Sequence, residues 1–179
     1  ILKRQFPALT LHLAHRLDRD TSGVLLFTKS PAAARLMNES FFERKVQKEY
    51  LALVAGRPAW DRTTVDVPIG REGLEIKVRQ AASAQGQAAL TEFEVVSRGT
   101  GRSLVRARPQ TGRLHQIRVH LAHLGHPVVG DKLYTGDGAL YMKMVDRPIT
   151  EEDIESLGAE RQMLHAYRLT LPWNGTMKM

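Results

Sequence analysis

The sequence contains no cysteine. A disulfide framework, a thiol nucleophile and a thiolate metal site are therefore excluded, and because this absence suits a reducing compartment we expect a cytoplasmic protein. No apolar run approaches the roughly 20 residues that cross a bilayer, and the first residues do not have the pattern of a signal peptide. We expect no membrane among the partners of this chain.

Aromatic residues are also scarce, at 6% of the chain, whereas 42% hydrophobic residues in a chain of 179 are enough for one packed domain. Acidic residues are outnumbered, since 26 Lys and Arg stand against 19 Asp and Glu and give a formal net charge of +7. Such a charge attracts polyanions such as nucleic acids at long range. A basic surface without a specific partner would have the same composition.

Hydrophobic periodicity predicts short strands separated by turns and a few amphipathic helices. The predicted strands are Leu11–Leu17, Val24–Thr28, Val46–Val54, Leu90–Ser97, Ser103–Arg108 and His165–Leu171, with shorter strand-like pieces at Thr64–Ile69 and Glu75–Arg79. The predicted helices are Pro31 to about Arg44, Arg113–Leu124 and Thr150–Leu157. Because no internal repeat or linker interrupts this pattern, we expect one α+β domain with a mixed, mostly antiparallel sheet.

The segment HRLDRDTSG, residues 15–23, gathers two arginines and two aspartates between two apolar runs. A turn needs the glycine and one short polar residue, so these charges exceed what a turn requires. An arginine beside a carboxylate favours its charged form, and Asp18 could then act as a nucleophile. The alternative is that the Asp18 side chain only makes hydrogen bonds within a turn, and this stretch alone does not decide between the two.

Three other activities suggested by single motifs are disfavoured by the surrounding residues. A zinc site is disfavoured because no Asp or Glu accompanies the four histidines between His115 and His126. A kinase is disfavoured because a leucine displaces the aspartate of the His-Arg-Asp pattern, and no glycine-rich phosphate loop occurs. A serine hydrolase is disfavoured because Ser22 lacks the first glycine of a nucleophile elbow. We therefore expect no metal.

Four ordered stretches closely resemble the motifs of the RluA-type pseudouridine synthases. They are HRLDRDTSGVLLFTKS from His15, KEYLALVAG from Lys48, TGRLHQIRVHLAHLGHPVVGDKLY from Thr111 and MLHA from Met163. The resemblance implies an enzyme that converts selected uridines in RNA to pseudouridine without a metal, nucleotide or redox cofactor. It also implies a mixed, mostly antiparallel sheet with flanking helices and a central catalytic cleft.

Carried over residue by residue, the resemblance implies that Asp18, Tyr50 and Arg113 are catalytic, and we expect an ion pair between Asp18 and Arg113. The predicted substrate-binding residues are Arg16, Leu164, His115 and Gln116. Arg16 is our candidate to fill the stack that an extruded uridine vacates. The predicted contacts to RNA phosphates are Lys29, Lys48, Arg118 and Lys132.

The chain departs from the family pattern in three places. Members of the family usually carry an upstream strand with a Lys-Pro motif, often preceded by an S4-type RNA-binding domain, but only fourteen residues precede His15. We therefore expect residues 1–179 to be a catalytic domain that lacks its N-terminal part and contains no S4-type domain. Gln87 stands where a lysine is expected, and residues 137–162 form a longer link than usual.

These observations predict a monomeric RNA pseudouridine synthase, with ribosomal RNA favoured over transfer RNA as the substrate. The aspartate could react at carbon 1 of the ribose or at the uracil ring, and the sequence does not choose between these routes. The alternative from another class is a non-catalytic RNA-binding module that has the same fold. Such a module would need the basic face but no carboxylate in a cleft.

Overall fold

The computed structural model describes residues 2–71, 76–173 and 176–178. The helices are α1 Leu2–Gln5, α2 Pro31–Phe42, α3 Gln116–His123, α4 Ala139–Asp146 and α5 Glu151–Leu157. The strands are β1 His12–Leu13, β2 Ser22–Gly23, β3 Phe27–Thr28, β4 Gln47–Ala55, β5 Arg62–Asp66, β6 Ile69–Gly70, β7 Ala81–Ala82, β8 Leu90–Arg98, β9 Arg102–Pro109, β10 Leu164–Trp173 and β11 Thr176–Lys178.

A seven-stranded sheet organises the molecule. Its strand order is β11-β10-β4-β9-β8-β5, and β2 adds to β10 as a parallel neighbour. The other pairs in this sheet are antiparallel, and β1–β3 and β6–β7 form two small antiparallel pairs beside it. The predicted α+β fold with a mixed, mostly antiparallel sheet is therefore confirmed.

One face of this sheet carries the main hydrophobic core. Side chains alternate between the two faces of a strand, so Tyr50, Ala52 and Val54 of β4 lie on one face, as the period-two pattern predicts. The interior residues Ala52, Val105 and Leu164 are paired neighbours on β4, β9 and β10 and belong to this core. Helix α3 packs against the same face and contributes Ile117 and Leu121 to the core.

The longer helices and strands follow their sequence patterns. Helix α2 begins after Ser30, whose hydroxyl accepts the amide of Ala33 while a proline occupies the first turn. Helix α5 begins with a capping box in which Thr150 and Asp153 each accept a backbone amide of the other. The predicted turn between β8 and β9 also forms, with the amide of Gly99 bonded to Arg102 O.

The segment that contains HRLDRDTSG is less regular than the sequence predicts. Of the predicted strand Leu11–Leu17 only β1 forms, and the predicted strand Val24–Thr28 is confined to β3, with β2 preceding it. Beyond β1 the Ala14 amide still donates to Leu26 O, but the amide of Leu26 donates to the side chain of His15, at Nε2, so the regular ladder ends there. Gly23 is required because its φ is +113° and a Cβ there would lie 2.2 Å from the Ala166 carbonyl oxygen.

Two further predictions were wrong in detail, and one helix was missed. The helix predicted from Arg113 begins at Gln116, because the residues before it form a loop that ends at His115 in the left-handed region. Ile76–Arg79 form a turn closed by the Arg79 amide on Ile76 O instead of a strand, and Glu75 lies outside the described residues. Helix α4 was not predicted.

Among the helices of the described ranges, none has the length and hydropathy that crossing a membrane requires.

Candidate active site

The HRLDRDTSG segment forms a loop that is fastened to the start of β10. The amide of Thr21 donates to Asp18 O at 3.0 Å, which closes the predicted turn. Gln162 Nε2 donates to the Thr21 hydroxyl at 2.6 Å, and the Ser22 hydroxyl lies 2.9 Å from His165 Nδ1. These bonds fix the backbone on the C-terminal side of Asp18, so its carboxylate is presented from a constrained loop.

The carboxylate of Asp18 faces Arg118, not Arg113. Arg118 Nη1 donates to Asp18 Oδ2 at 2.9 Å, and His115 Nε2 lies 4.0 Å from the same oxygen. Asp18 Oδ1 accepts no hydrogen bond from the residues that the structure describes, and the side chain is 19% exposed. Arg113 lines the same cavity, but its Nε donates to Ala88 O at 3.0 Å. The predicted Asp18–Arg113 ion pair is therefore wrong.

The prediction erred because it placed Arg113 at the start of a helix, where a cation is unfavourable unless an acid compensates it. Helix α3 begins three residues later, so this argument does not apply. Arg118 lies inside α3 and is buried, and for that reason it is not placed as an exposed phosphate contact would be. The structure thus moves Arg118 from the predicted phosphate contacts to the partner of the carboxylate.

Arg118 is held by a second carboxylate that the sequence analysis did not select. Asp131 is fully buried and accepts both Nε and Nη2 of Arg118, at 2.6 and 2.8 Å. Its Oδ1 also accepts the backbone amides of Leu133 and Tyr134, and the ring of Tyr134 lies 4.9 Å from the guanidinium carbon. The orientation of Arg118 is therefore determined by Asp131, and one further N–H reaches Asp18.

Burial opposes the positive charge of Arg118, but the hydrogen bonds and charges of Asp131 and Asp18 outweigh that effect. Together they raise the pKa of the guanidinium above its usual value. The signal for Asp131 and Tyr134 was present in the sequence, because both belong to the quoted stretch VVGDKLY. Only the charged residue with an obvious role for RNA, Lys132, was selected there.

Tyr50 and Leu164 form the floor of the site on neighbouring strands. Both line the cavity that contains Asp18, and Leu164 is buried while Tyr50 packs against the edge of the core. Burial, with a smaller contribution from the charge of Asp18, raises the pKa of Tyr50 to about 12. The hydroxyl group is therefore protonated at neutral pH.

Lys48 lies near the start of β4, on the same face of the strand as Tyr50. Its Nζ donates to Thr111 O at 2.8 Å, at the base of the loop that leads into α3. Burial, together with the charge of Arg44, lowers the pKa of Lys48 to about 8. The cavity thus contains an ammonium group that loses its proton closer to neutral pH than an ordinary lysine does.

Gln116 is placed in the cavity wall, but its amide is occupied by the protein. The oxygen accepts the Thr111 hydroxyl and the Arg113 amide, at 2.7 and 3.0 Å. The nitrogen donates to Leu90 O and to the Thr91 hydroxyl, at 3.0 and 2.9 Å. Because two donors and two acceptor positions are used, the amide fixes the loop and has no hydrogen-bonding group left for a substrate.

His115 and Arg16 complete the wall around Asp18. His115 has φ +56°, a left-handed conformation that costs a non-glycine residue about 1–2 kcal/mol. Its Nδ1 lies 2.9 Å from the Tyr134 hydroxyl, and burial together with the charge of Arg118 lowers its pKa. Arg16 is exposed and lines the cavity, as its proximity to Asp18 predicts.

The remaining predicted phosphate contacts lie at different distances from the site. Lys48 is inside the cavity, Lys132 lies beside the HRLDRDTSG loop with Nζ 3.6 Å from Asp20 Oδ2, and Lys29 is exposed and does not line the cavity. None of these placements tests the phosphate role, which stays a prediction.

His120, which is buried, and His126, which is half-buried, have structural partners. His120 is enclosed in the core, with one ring nitrogen 2.9 Å from the Thr91 hydroxyl and the other 2.9 Å from Val67 O. His126 Nδ1 lies 2.9 Å from Ala55 O. Within residues 2–71, 76–173 and 176–178, no group of three or more histidine or acidic side chains could hold a metal ion.

The cavity has a volume of about 450 Å³, which is enough for a nucleoside. Asp18 is the one acidic residue among the described residues that line it. A carboxylate with one free oxygen, an aromatic ring and an apolar floor therefore meet around a pocket that is open to solvent. Such an arrangement can hold a flat ring and attack it, or its attached sugar, with the free oxygen.

Comparisons with known sequences agree on one family. The sequence profile described as RNA pseudouridylate synthase matches residues 2–123. Ribosomal large subunit pseudouridine synthase C of Escherichia coli (strain K12) is 41% identical over 167 residues, 93% of this chain and 50% of that protein. The protein of that name from Pasteurella multocida (strain Pm70) is 41% identical over 160 residues, 89% of this chain and 46% of that protein. The chain spans about half the length of these bacterial relatives.

Two solved human structures have the same fold. RNA Pseudouridylate Synthase Domain Containing 1 superposes with a TM-score of 0.79 at 36% identity, over 99% of this chain and 69% of that chain. RNA Pseudouridylate Synthase Domain Containing 4 superposes with a TM-score of 0.70 at 33% identity, over 90% of this chain and 67% of that chain. The first of these superpositions extends over almost the whole of this chain.

Proposed function

The chain belongs to the RNA pseudouridylate synthase family, as its RluA-type motifs predicted, and we propose that it isomerises uridines in RNA to pseudouridine with Asp18 as the essential carboxylate. The observation that carries this proposal is the geometry of Asp18. It is the one acid among the described residues that line the cavity, its Oδ2 is held by Arg118, and its Oδ1 has no partner within the described part of the chain.

The reaction breaks the bond between ribose carbon 1 and uracil nitrogen 1 and joins the same ribose carbon to uracil carbon 5. Carbon 5 loses a proton and nitrogen 1 gains one, so the product has the same atoms as the uridine. In this proposal Asp18 Oδ1 attacks either the ribose carbon or the ring and leaves again when the new bond forms. Arg118 orients the carboxylate, and both routes of attack fit its position.

Tyr50 provides the surface on which the extruded uracil stacks, and Leu164 closes the pocket beneath it. Because the pKa of Tyr50 is raised to about 12, its hydroxyl reaches the base as a phenol and not as a phenolate. If this phenol accepts the proton that carbon 5 loses, it must give up its own hydroxyl proton at the same time. Arg113, His115 and Gln116 shape the wall, with Gln116 acting through the loop that it holds.

Arg16 is the proposed residue that fills the stack after the uridine has turned out. It is exposed, borders the cavity and lies two residues before Asp18. We expect Arg16→Ala to lose conversion of folded RNA and to keep the low conversion of single-stranded RNA, which needs no extrusion. Unchanged conversion of folded RNA would contradict this role.

Lys29, Lys48 and Lys132 are the proposed phosphate contacts, and they predict binding that weakens steeply as salt is added. The substrate proposed first is large-subunit ribosomal RNA, since the bacterial relatives are named for it. Transfer RNA is the second candidate substrate. A monomeric cytoplasmic protein that needs no cofactor, with residues 1–179 as one catalytic domain, completes the proposal.

The deciding experiment incubates the protein with large-subunit ribosomal and transfer RNA transcribed without modifications, and then maps every new pseudouridine. We expect conversion at a few positions and a loss of at least about 10³-fold in rate for Asp18→Asn. Conversion that is unaffected by Asp18→Asn would refute the proposed role of the carboxylate. Tight RNA binding without any conversion would favour the non-catalytic module.

A further inference from the structure

A second cavity of about 420 Å³ adjoins the candidate active site. His115 and Arg118 line both cavities, so the two spaces are separated by side chains that already contact Asp18. The two cavities are therefore direct neighbours. The lining of the second cavity includes the cations Arg19 and Lys132 and three residues of α4.

Of the cations Arg19 and Lys132 that line this cavity, only Lys132 lies near an acidic side chain of the described residues. Arg19 is exposed and makes no hydrogen bond or ion pair with any residue in the described ranges. Lys132 Nζ lies 3.6 Å from Asp20 Oδ2 and makes no hydrogen bond within the described ranges, so its N–H donors are available. Asp20 balances one of the two cations, and the guanidinium of Arg19 remains available for an anion.

Much of the apolar lining comes from α4, in the link that is longer than the family pattern. Tyr141 is half-buried and packs against the core cluster that contains Leu133 and Tyr134. Met144 and Val145 line the cavity one turn further along, and Val145 is 68% exposed. An exposed valine beside an aromatic ring is a surface that a flat apolar group can cover.

We propose that the second cavity binds a nucleotide next to the target uridine, with Arg19 and Lys132 on its phosphate and Tyr141 and Val145 against its base. This inference rests on the proposed function and names a subsite of the same RNA strand. A cation beside an aromatic and apolar surface suits a nucleotide, which has an anionic phosphate and a flat base. Because the base meets a ring and a methyl surface, the subsite contributes affinity with little sequence preference.

The first test compares variants of the full chain on the unmodified large-subunit transcript. Tyr141→Ala and Arg19→Ala should each raise KM by about tenfold, with kcat within about twofold of wild type, because the subsite binds RNA away from the reacting atoms. Met142→Ala on the exposed side of α4 and Arg57→Ala on a distant exposed turn are the matched controls. Neither control residue lines either cavity, and both variants should keep the wild-type KM.

The second test identifies which nucleotide occupies the cavity. An oligonucleotide that spans a converted uridine is made with an abasic residue on its 5′ side or on its 3′ side. On one side the abasic residue should raise the wild-type KM by about tenfold, yet raise the KM of Tyr141→Ala by less than about twofold, because the base and the ring contact one another. Equal effects of the abasic residue on wild type and on Tyr141→Ala would overturn the subsite.

The outcome is separable from that of the proposed function. Binding of the unmodified transcript is measured by fluorescence anisotropy in an Asp18→Asn background, where no conversion is needed. Weaker binding by Arg19→Ala and Tyr141→Ala than by Met142→Ala and Arg57→Ala supports the subsite even if wild type converts no uridine. Wild-type affinity in all four variants overturns the subsite, even if the wild-type protein converts uridine normally.

Discussion

Two networks of arginine and carboxylate groups lie on opposite faces of the seven-stranded sheet. Beside the cavity, Arg118 joins Asp18 to Asp131, and the side chains of Arg118 and Asp131 are 8% and 0% exposed. On the outer face, Glu49 and Glu94 meet arginines from neighbouring strands, and these arginine side chains are 29 to 80% exposed. The same pairing chemistry therefore occurs at two depths: the Arg118–Asp131 pair is buried, whereas the outer glutamates are half-buried, at 16 and 20% exposed, and meet arginines that are more exposed.

This difference in burial indicates which ion pairs the stability of the protein depends on. Charges at a surface are screened and hydrated when separated, so losing one contact changes the free energy of unfolding little. A carboxylate as buried as Asp131 has no water to replace Arg118. Loss of one partner from the buried network should therefore lower stability strongly. The same network holds Asp18 in a fixed orientation.

The largest effect should come from removing the shared arginine. Arg118→Met leaves Asp131 buried without its partner and should lower the free energy of unfolding by about 3–5 kcal/mol. Arg168→Met is the matched control, because Arg168 pairs with Glu49 on the outer face and its side chain is 44% exposed. Urea denaturation of both variants measures the contrast. Equal losses would show that burial does not separate the two networks.

Asp131→Asn should have the second largest effect, on rate as well as on stability. The amide keeps the shape of the carboxylate but loses the charge that orients Arg118, so we expect kcat to fall about 10–100-fold through misplacement of Asp18. KM should change by less than about threefold, because Asp131 does not line the cavity.

Glu49→Gln is the matched change on the outer face and should leave kcat unaltered. A loss of kcat in that variant would mean that the outer network also positions the site. A kcat for Asp131→Asn that equals wild type would contradict the proposed positioning of Arg118.

The sequence predicted the long elements well because their signals are local. Alternation fixes the faces of β4, β8 and β9, and the caps at Ser30 and Thr150 place the starts of α2 and α5. The irregular parts depend on distant partners. The β1 strand ends where a histidine ring accepts the amide of Leu26, which no local pattern reveals.

The site was predicted to a similar extent. The resemblance to the family motifs implied that Asp18, Tyr50 and Leu164 are site residues, and all three line one cavity of the structure. The partner of Asp18 was missed because choosing between Arg113 and Arg118 requires the true start of α3, which depends on how Gln116 holds the preceding loop. Asp131 was missed because burial, not charge, makes it important.

Lys48 lies in the cavity with its charge buried and without a carboxylate partner in the described part of the chain. It can therefore be compared with the two networks, in which the cations are paired. Its pKa of about 8 lies below the value of 10.5 for an ordinary lysine, so the charged form destabilises the folded state. This destabilisation is fully present below pH 8 and is relieved as the pH rises from 8 towards 10.5.

Lys48→Met should therefore raise the free energy of unfolding by about 1–3 kcal/mol at pH 7, and the gain should shrink by pH 9.5. Thermal unfolding at both pH values measures it, with Lys45→Met as the control, because Lys45 is exposed and pairs only with Glu43 among the described residues. A gain that is the same at both pH values would contradict burial of the charge as its cause. RNA affinity should fall in the same variant if Lys48 contacts a phosphate.

The smallest effect should come from a single pair of the outer network. Arg168 Nη1 lies 3.3 Å from Glu49 Oε1, and a double-mutant cycle with Arg168→Gln and Glu49→Gln should give a coupling of about 0.5 kcal/mol. Because this pair is exposed on the arginine side, the coupling should disappear in about 1 M salt. The coupling of Arg118 with Asp131, measured by the same cycle, should persist there since water and ions do not reach the buried carboxylate. If both couplings vanished in salt, the two faces of the sheet would differ in geometry but not in electrostatic environment.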